Sequence, residues 1–205
     1  MQEGVNIMLK CEQLLTFLQK IMKNRGRCVI INMENSKQSK YKGNCNYKSK
    51  LKGADTMAYT AMQIAAEVVR QYRMKKEPIT NLKLQKILYY IQVECLQKND
   101  VPAFQDDIEA WRHGPVVRDV YNTFCVYIAN PIEDDDPDVE QNLVKIDDKT
   151  SKCISDIVER SIRYDDPWDL VYRSHETKPW RDTFIPDANC IITKDSLKND
   201  GTINI

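Results

Sequence analysis

The apolar residues of this chain recur mostly at intervals of three and four, which is the period of a helix that buries one side. The first such stretch predicts an amphipathic helix at residues 7–22, and a short apolar run at 28–33 is compatible with a strand. Residues 34–56 are dominated by Ser, Lys, Asn, Gln, Gly and Tyr and show no hydrophobic period. Because such a segment buries too little apolar surface to offset the entropy of ordering, it is predicted to be a flexible linker.

A compact domain is predicted from residue 57 to residue 195. Its first helix has Thr60 as N-cap and ends near Lys75, where positive charge suits a helix C-terminus. The second helix starts at Thr80 or Asn81 and is apolar on more than one side, as expected of a central helix. Further helical patterns lie at 116–128, 152–162 and 168–174.

A small β element is predicted near the middle of this domain. Residues 108–111 are too few for a helix and are interpreted as an extended segment or small strand, and residues 143–146 are a second candidate strand. Between the first strand and the third helix, Gly114 can adopt a positive φ and Pro115 fixes the next φ, which predicts a chain reversal. The fold class is therefore mainly α with a small β element (α+β), preceded by a helix and a flexible linker.

The C-terminal part contains a break and a tail. Residues 178–180, which include Pro179, are predicted to interrupt the helices. Residues 196–205 lack the pattern of a packed helix and are predicted to form a frayed tail.

The total charge of zero hides two oppositely charged parts. Residues 1–56 carry 11 Lys and Arg against 4 Asp and Glu, a net of +7, so residues 57–205 carry a net of −7. A domain of net −7 repels a phosphate backbone at long range, which disfavours nucleic acid as a partner of residues 57–205. Met57 directly follows the linker, and one interpretation is that Met57 is the natural start and that residues 1–56 are an upstream in-frame extension.

The chain of 205 residues has seven cysteines and no CxxC pair. An odd number without that spacing predicts neither a disulfide framework nor a common zinc finger, and favours reduced thiols in the cytoplasm. No apolar run approaches the roughly 20 residues that a membrane-spanning helix needs, and the N-terminus lacks a cleavage signal. A cytoplasmic protein without a membrane partner is expected.

Catalytic and cofactor motifs are scarce. The only histidines are His113 and His175, the six glycines form no phosphate-binding loop, and no Cys, His or carboxylate cluster has metal-ligand spacing. A Cys/His nucleophilic pair stays open, since such partners meet in space and not in sequence. The expectation is a protein that is not an enzyme and that has no metal and no cofactor.

Aromatic and basic residues cluster instead in three stretches, where they resemble a contact surface for another protein. Trp and Arg are favoured at the centres of protein interfaces. The candidate contact residues are Lys83, Lys86, Tyr90, Trp111, Arg112, His113 and Trp180, and the residues of the supporting turns are Gly114, Pro115 and Pro179. The competing interpretation is that the two lysines form the solvated side of a helix whose tyrosines pack, and that Trp180 closes the core.

The same three stretches carry a resemblance to a known family. They read ITNLKLQKILYYIQ at 79–92, FQDDIEAWRHGPVVRDVY at 104–121 and LVYRSHETKPW at 170–180. In this order they resemble the Panacea domain, also described as the SocA-like antitoxin domain, of bacterial and phage proteins. The resemblance covers about residues 57–195.

The resemblance implies a mainly helical antitoxin without catalytic activity that binds a cognate protein toxin, encoded by an adjacent gene. Some relatives resemble adaptors that pass the toxin to a protease, which is therefore a further expected partner. The family pairs with very different toxins, so the resemblance identifies neither the toxin nor the contact residues. The alternative function is a DNA-binding transcriptional regulator with a winged-helix-like domain.

Overall fold

Helix α2 (Asn81–Asn99) is the element around which residues 59–205, the part of the chain described by the computed structural model, are packed. The predicted helix at 7–22, the strand at 28–33 and the linker at 34–56 lie outside the described residues. The other helices are α1 (Ala61–Lys75), α3 (Arg118–Phe124), α4 (Pro137–Glu140), α5 (Asp148–Ile162), α6 (Pro167–Glu176), α7 (Lys178–Thr183) and α8 (Lys194–Asp200). The strands are β1 (Ile108–Trp111), β2 (Gly114–Val116) and β3 (Ile191–Ile192).

The helix boundaries follow the capping signals of the sequence. The Thr60 side chain accepts a hydrogen bond from the Gln63 backbone N–H, and Gln63 returns one to the Thr60 backbone, which completes a capping box at the start of α1. The Asp147 side chain caps α5 by accepting hydrogen bonds from the Lys149 and Thr150 backbone N–H groups, so this helix begins four residues before the predicted position 152. Asp166 caps α6, with Pro167 in the first turn.

Helix α2 is buried on nearly all sides because α1, α5, α6, α8 and strand β2 all contact it. Its apolar residues Leu84, Ile87, Leu88 and Ile91 have no exposed surface. This confirms the expected central helix, and it places the side chains of residues 83–96 in the interior.

The sheet is antiparallel, with the strand order β2-β1-β3. Strands β1 and β2 form a hairpin in which Trp111 pairs with Gly114, and β3 adds to the other edge through Ile191 and Ile192. Residues 143–146, the second candidate strand, form no strand. The small sheet and the surrounding helices confirm the predicted fold class, mainly α with a small β element.

The chain between the hairpin and α5 is less regular than the periodicity predicts. The helical pattern of residues 116–128 is divided into α3 and a short 3₁₀ helix at Cys125–Tyr127. Ile128 ends it with a φ of 56°, which cannot continue a right-handed helix.

The C-terminal segment differs from its prediction. Residues 196–205 are not a frayed tail, because α8 places Leu197 in the core, and Ile203 and Ile205 pack against the core. The predicted break at residues 178–180 lies one residue earlier, at Thr177, and Pro179 occupies the first turn of α7. Among residues 59–205, no helix combines the length and the hydropathy needed to cross a bilayer.

Candidate protein-binding face

The β1–β2 hairpin places two residues, Arg112 and His113, at its tip. Trp111 and Gly114 pair on either side of them, which leaves a two-residue connection. Gly114 has a φ of 95°, a conformation that residues with a Cβ rarely adopt. The predicted reversal is thus present, and both tip side chains are exposed.

Gly114 also allows α2 and α6 to approach the hairpin closely. A Cβ at this position would lie 2.7 Å from Ser174 Oγ on α6 and 2.9 Å from Lys86 Nζ on α2. Both distances are below van der Waals contact, so only glycine fits without displacing a neighbour. The hairpin is therefore held against both helices.

Two polar side chains of α2 fix strand β2 and the residue that follows it. Lys86 Nζ donates a 2.9 Å hydrogen bond to the Pro115 carbonyl oxygen. Gln85 Oε1 accepts a 2.9 Å hydrogen bond from the Val117 backbone N–H. Because buried backbone groups need partners, these bonds replace those that a further strand would supply.

The structure corrects the prediction that Lys83 and Lys86 belong to a contact surface, and it also excludes the solvated helix side proposed as the competing interpretation. Lys86 is completely buried, and this burial lowers its pKa to about 7. Lys83 is buried too, and its Nζ donates to the Tyr164 carbonyl oxygen at 2.7 Å. The reason is the central position of α2, whose residues 83–96 are all buried.

Tyr90 and Trp180 also lie inside the domain and do not form a contact surface. The Tyr90 hydroxyl donates to Asn204 Oδ1 at 2.9 Å, and burial raises the pKa of Tyr90 well above its usual value. Trp180 donates from Nε1 to the Trp111 carbonyl oxygen at 3.1 Å. The alternative that Trp180 closes the core therefore describes its position.

Trp180 is the middle ring of a stack that supports the base of the hairpin. The His175 ring lies 3.9 Å from it on one side and the Phe184 ring 4.7 Å on the other, both nearly parallel to it. This stack connects α6 and α7, and the Trp180 hydrogen bond connects both to β1. Trp180 is thus a structural support of the candidate face.

Trp111 is half-buried, and its side chain contacts Glu109, Arg118 and Tyr121. Its Nε1 donates to Glu109 Oε2 at 2.7 Å, and the Arg118 guanidinium lies 5.3 Å from the ring centroid. Tyr121 makes an edge contact at 5.0 Å. Glu109 also accepts a 2.8 Å hydrogen bond from Arg118 Nε, so the charges of this cluster compensate each other.

Two exposed aromatic residues on α6 extend the hairpin tip into a continuous face. Trp168 is 40% exposed and Tyr172 is 64% exposed, and their spacing of four residues places them on one side of the helix. The His113 ring meets Trp168 edge-on at 5.2 Å. We call Arg112, His113, Trp168 and Tyr172 the hairpin–α6 face.

Sequence reasoning did not identify Trp168 and Tyr172 as contact residues. A signal was present, since Leu170, Val171 and Ser174 are buried on the opposite side of α6, where the helical period places the core positions. Two aromatic residues on the side that should be polar are unusual. Contiguous exposed apolar groups of this kind mark interaction surfaces.

Burial and neighbouring basic groups lower the pKa values of both histidines near this face. The pKa of His113 is lowered by burial and then by the charges of Arg112 and Lys86. The pKa of His175 is lowered by burial, Lys86 and His113, and its buried Nε2 has no hydrogen-bond partner. No carboxylate is among the charges that act on either histidine.

The described residues offer little for other chemistry. Within residues 59–205, no group of three or more His, Cys, Asp or Glu could hold a metal ion. The Ser174 hydroxyl donates to the Val171 carbonyl oxygen at 2.7 Å. Cys95 is buried, and burial raises the pKa of its thiol, which disfavours the nucleophilic thiolate.

Comparison with protein families gives one result. Residues 84–181 match the family model described as "Antitoxin SocA-like, Panacea domain". The matched range contains most of α2, the hairpin and α6, and therefore the whole hairpin–α6 face. No curated protein and no solved structure matches the chain.

Proposed function

Because residues 84–181 match the family model of the SocA-like antitoxins, we propose that the protein is an antitoxin that neutralises a cognate toxin by binding it through the hairpin–α6 face. The toxin is expected to be the product of an adjacent gene, and the complex is expected in the cytoplasm. Neutralisation by binding needs no catalytic group in the antitoxin. Delivery of the bound toxin to a protease is compatible with the same face.

The observation that carries this proposal is the contact between His113 and Trp168 at the solvent boundary. It joins two elements that are distant in sequence into one exposed aromatic surface. Trp and Tyr bury a large area with few rotatable bonds, which makes them effective at interface centres. A typical stable interface buries about 1,600 Å² in total, of which the face would be the centre.

The support behind the face favours binding without rearrangement. Lys86, Gly114 and Ser174 hold the hairpin from inside, and the Trp180 stack holds its base. A preorganised surface loses little conformational entropy on binding, so more of the contact energy remains as affinity.

Charge supports a protein partner over the alternative DNA-binding function. The net charge of residues 57–205 is −7, which opposes approach to a phosphate backbone. DNA binding by this part of the chain would require a basic surface much larger than Arg112 and its neighbours.

The test is growth rescue and co-purification with the adjacent gene product. Trp168→Ala and Tyr172→Ala should each weaken the complex by about 2 kcal/mol or more, roughly 30-fold, if they are central contacts. The matched control is Met74→Ala on α1, because Met74 is 69% exposed and thus similar to Tyr172. Wild-type rescue by both α6 variants would overturn the proposed face, and a harmless adjacent gene product would overturn the proposed pairing.

A further inference from the structure

We propose that the hairpin–α6 face binds an acidic segment of the partner, with an Asp or Glu carboxylate placed between Arg112 and His113 and an apolar neighbour packed on Trp168 and Tyr172. This inference rests on the proposed antitoxin function and specifies the chemistry of the partner. It derives from the arrangement of unpaired basic groups at the face.

Arg112 has no ion pair among residues 59–205, although many other Lys and Arg side chains in this part of the chain are paired. Arg118, on the same hairpin cluster, is bound to Glu109. Glu109 also accepts from Trp111 Nε1, so both of its oxygens already hold hydrogen bonds from Trp111 or Arg118, and it forms no ion pair with Arg112. The charge at the tip of the hairpin therefore stays uncompensated.

The acidic residues at or near α6 either hold other hydrogen-bond partners or do not shift the pKa of the two histidines. Asp166 accepts a hydrogen bond from the Trp168 backbone N–H as the helix cap. Glu176 accepts from Asn204 Nδ2. Asp169 is exposed, but it is not among the charges that shift the pKa of His113 or His175.

Further basic groups lie behind the tip. Lys86 from α2 and His175 from α6 both act on the charge balance of the face, and His175 Nε2 has no hydrogen-bond partner. Arg112 carries a permanent positive charge at this face, whereas burial lowers the pKa of Lys86, His113 and His175 and so disfavours their charged forms. A partner carboxylate would lower that electrostatic cost.

The aromatic side chains make a carboxylate contact stronger at this place than on an open surface. When a partner covers Trp168 and Tyr172, water is excluded and the effective dielectric constant falls, so a pair of opposite charges attracts more strongly. Arg also binds carboxylates through two parallel hydrogen bonds, which adds geometric specificity. An acidic residue beside an apolar one is the sequence that fits both halves of the face.

A phosphate backbone is the competing anion, and the charge of the domain decides against it. A carboxylate is a single local charge and meets only the basic tip, whereas a duplex also meets the surrounding acidic surface. The experiment can distinguish a protein carboxylate from a phosphate backbone, because a DNA duplex of arbitrary sequence serves as a separate probe.

The experiment measures the affinity of purified variants for the adjacent gene product, separated from the co-expressed complex, at low and high salt. Arg112→Glu should weaken binding at least 30-fold at low salt, and the wild-type affinity should fall as salt rises. Lys152→Glu is the matched control, with the same change of charge and an exposed position on α5. Its neighbour Cys153 contacts Asn99, thirteen residues along α2 from Lys86, about 20 Å of helix.

A second arm uses the histidine at the tip. His113 faces Arg112 on the hairpin, Lys86 on α2, and Trp168 and His175 on α6. A bound carboxylate favours the protonated imidazole, so wild-type affinity should rise severalfold as the pH falls from 8 to 6. His113→Gln should weaken that dependence, and the part that stays is assigned to Lys86 and His175.

The outcomes separate the inference from the proposed function. Loss of binding in Trp168→Ala with unchanged binding in Arg112→Glu would overturn the acidic partner and leave the antitoxin face in place. Unchanged binding in both variants would overturn the face itself. If a 30-base-pair duplex bound as tightly as the adjacent gene product, and Arg112→Glu weakened that binding, the partner of the face would be a nucleic acid and not an acidic protein. Lysine substitutions of partner acids that restore binding to Arg112→Glu would identify the contacting carboxylate.

Discussion

Lys86 Nζ and the Pro115 carbonyl oxygen are joined by a 2.9 Å hydrogen bond that lies entirely inside the domain. It connects the central helix to the strand that follows the exposed hairpin tip. No carboxylate pairs with this amine among residues 59–205, so its charge is costly and burial lowers its pKa to about 7. The position of the candidate face thus depends on a lysine that a partner cannot touch.

We predict that Lys86→Met changes the pH dependence of stability. Below pH 7 the lysine is protonated in both states, and the folded state carries the cost of burying the charge. Between pH 7 and about 10 the unfolded chain binds a proton that the folded chain does not, so the free energy of unfolding of the wild type rises with pH. From pH 7 to 9 the wild type should gain up to about 2 kcal/mol relative to Lys86→Met.

Urea denaturation at several pH values measures this difference. The comparison between wild type and variant cancels the ionisation of the buried tyrosines, which is common to both. Lys152→Met, at an exposed position, is the control and should follow the wild type. Parallel curves for wild type and Lys86→Met would contradict the prediction.

Gly114→Ala is predicted to destabilise the domain by about 2 kcal/mol or more. The φ of 95° disfavours any Cβ, and the added methyl would press on Ser174 Oγ and Lys86 Nζ. A lowered midpoint in thermal or urea denaturation is the measurement. Arg112→Ala, two residues earlier at the exposed tip, should leave the midpoint nearly unchanged.

Trp180 is predicted to stabilise the fold and not to contact the partner. Trp180→Phe keeps an aromatic ring in the stack but loses the hydrogen bond to the Trp111 carbonyl, at a cost of about 1–2 kcal/mol. Trp180→Ala also loses the ring contacts with His175 and Phe184, at a cost of about 3–5 kcal/mol. Circular dichroism during denaturation measures both.

The exposed Trp168 provides the contrast for this prediction. Trp168→Ala should cost less than about 1 kcal/mol of folding stability, because the ring is partly in water already. If Trp168→Ala unfolded the domain while Trp180→Ala did not, the assignment of support and face would be reversed.

Asn204 is predicted to fix the C-terminal segment against α2 and α6. Its side chain accepts a hydrogen bond from the Tyr90 hydroxyl and donates to the Arg173 carbonyl oxygen. Asn204→Ala should lower the free energy of unfolding by about 1–3 kcal/mol, since the buried Tyr90 hydroxyl loses its acceptor. Asn199→Ala, at an exposed position on α8, is the control, and equal stability of the two variants would contradict the prediction.

Much of the candidate site could be predicted from sequence, but its division into support and surface could not. The three stretches that carry the family resemblance contain the hairpin tip, the buried residues of α2 and Trp180. Aromatic and basic residues look alike in a sequence whether they face a partner or the core. The sequence therefore predicts the same role for Lys83, Lys86 and Arg112, although only Arg112 is exposed.

The sequence alone determined α1, α2, the cap at Thr60 and the turn at Gly114, because period, capping and φ preference are properties of neighbouring residues. Tertiary structure alone decided that Lys86 meets the carbonyl of Pro115, that β3 pairs with β1 across more than eighty residues, and that His113 meets Trp168. These contacts join segments far apart in the chain. Local patterns do not record them, because the free energy of each contact depends on how the remaining elements pack.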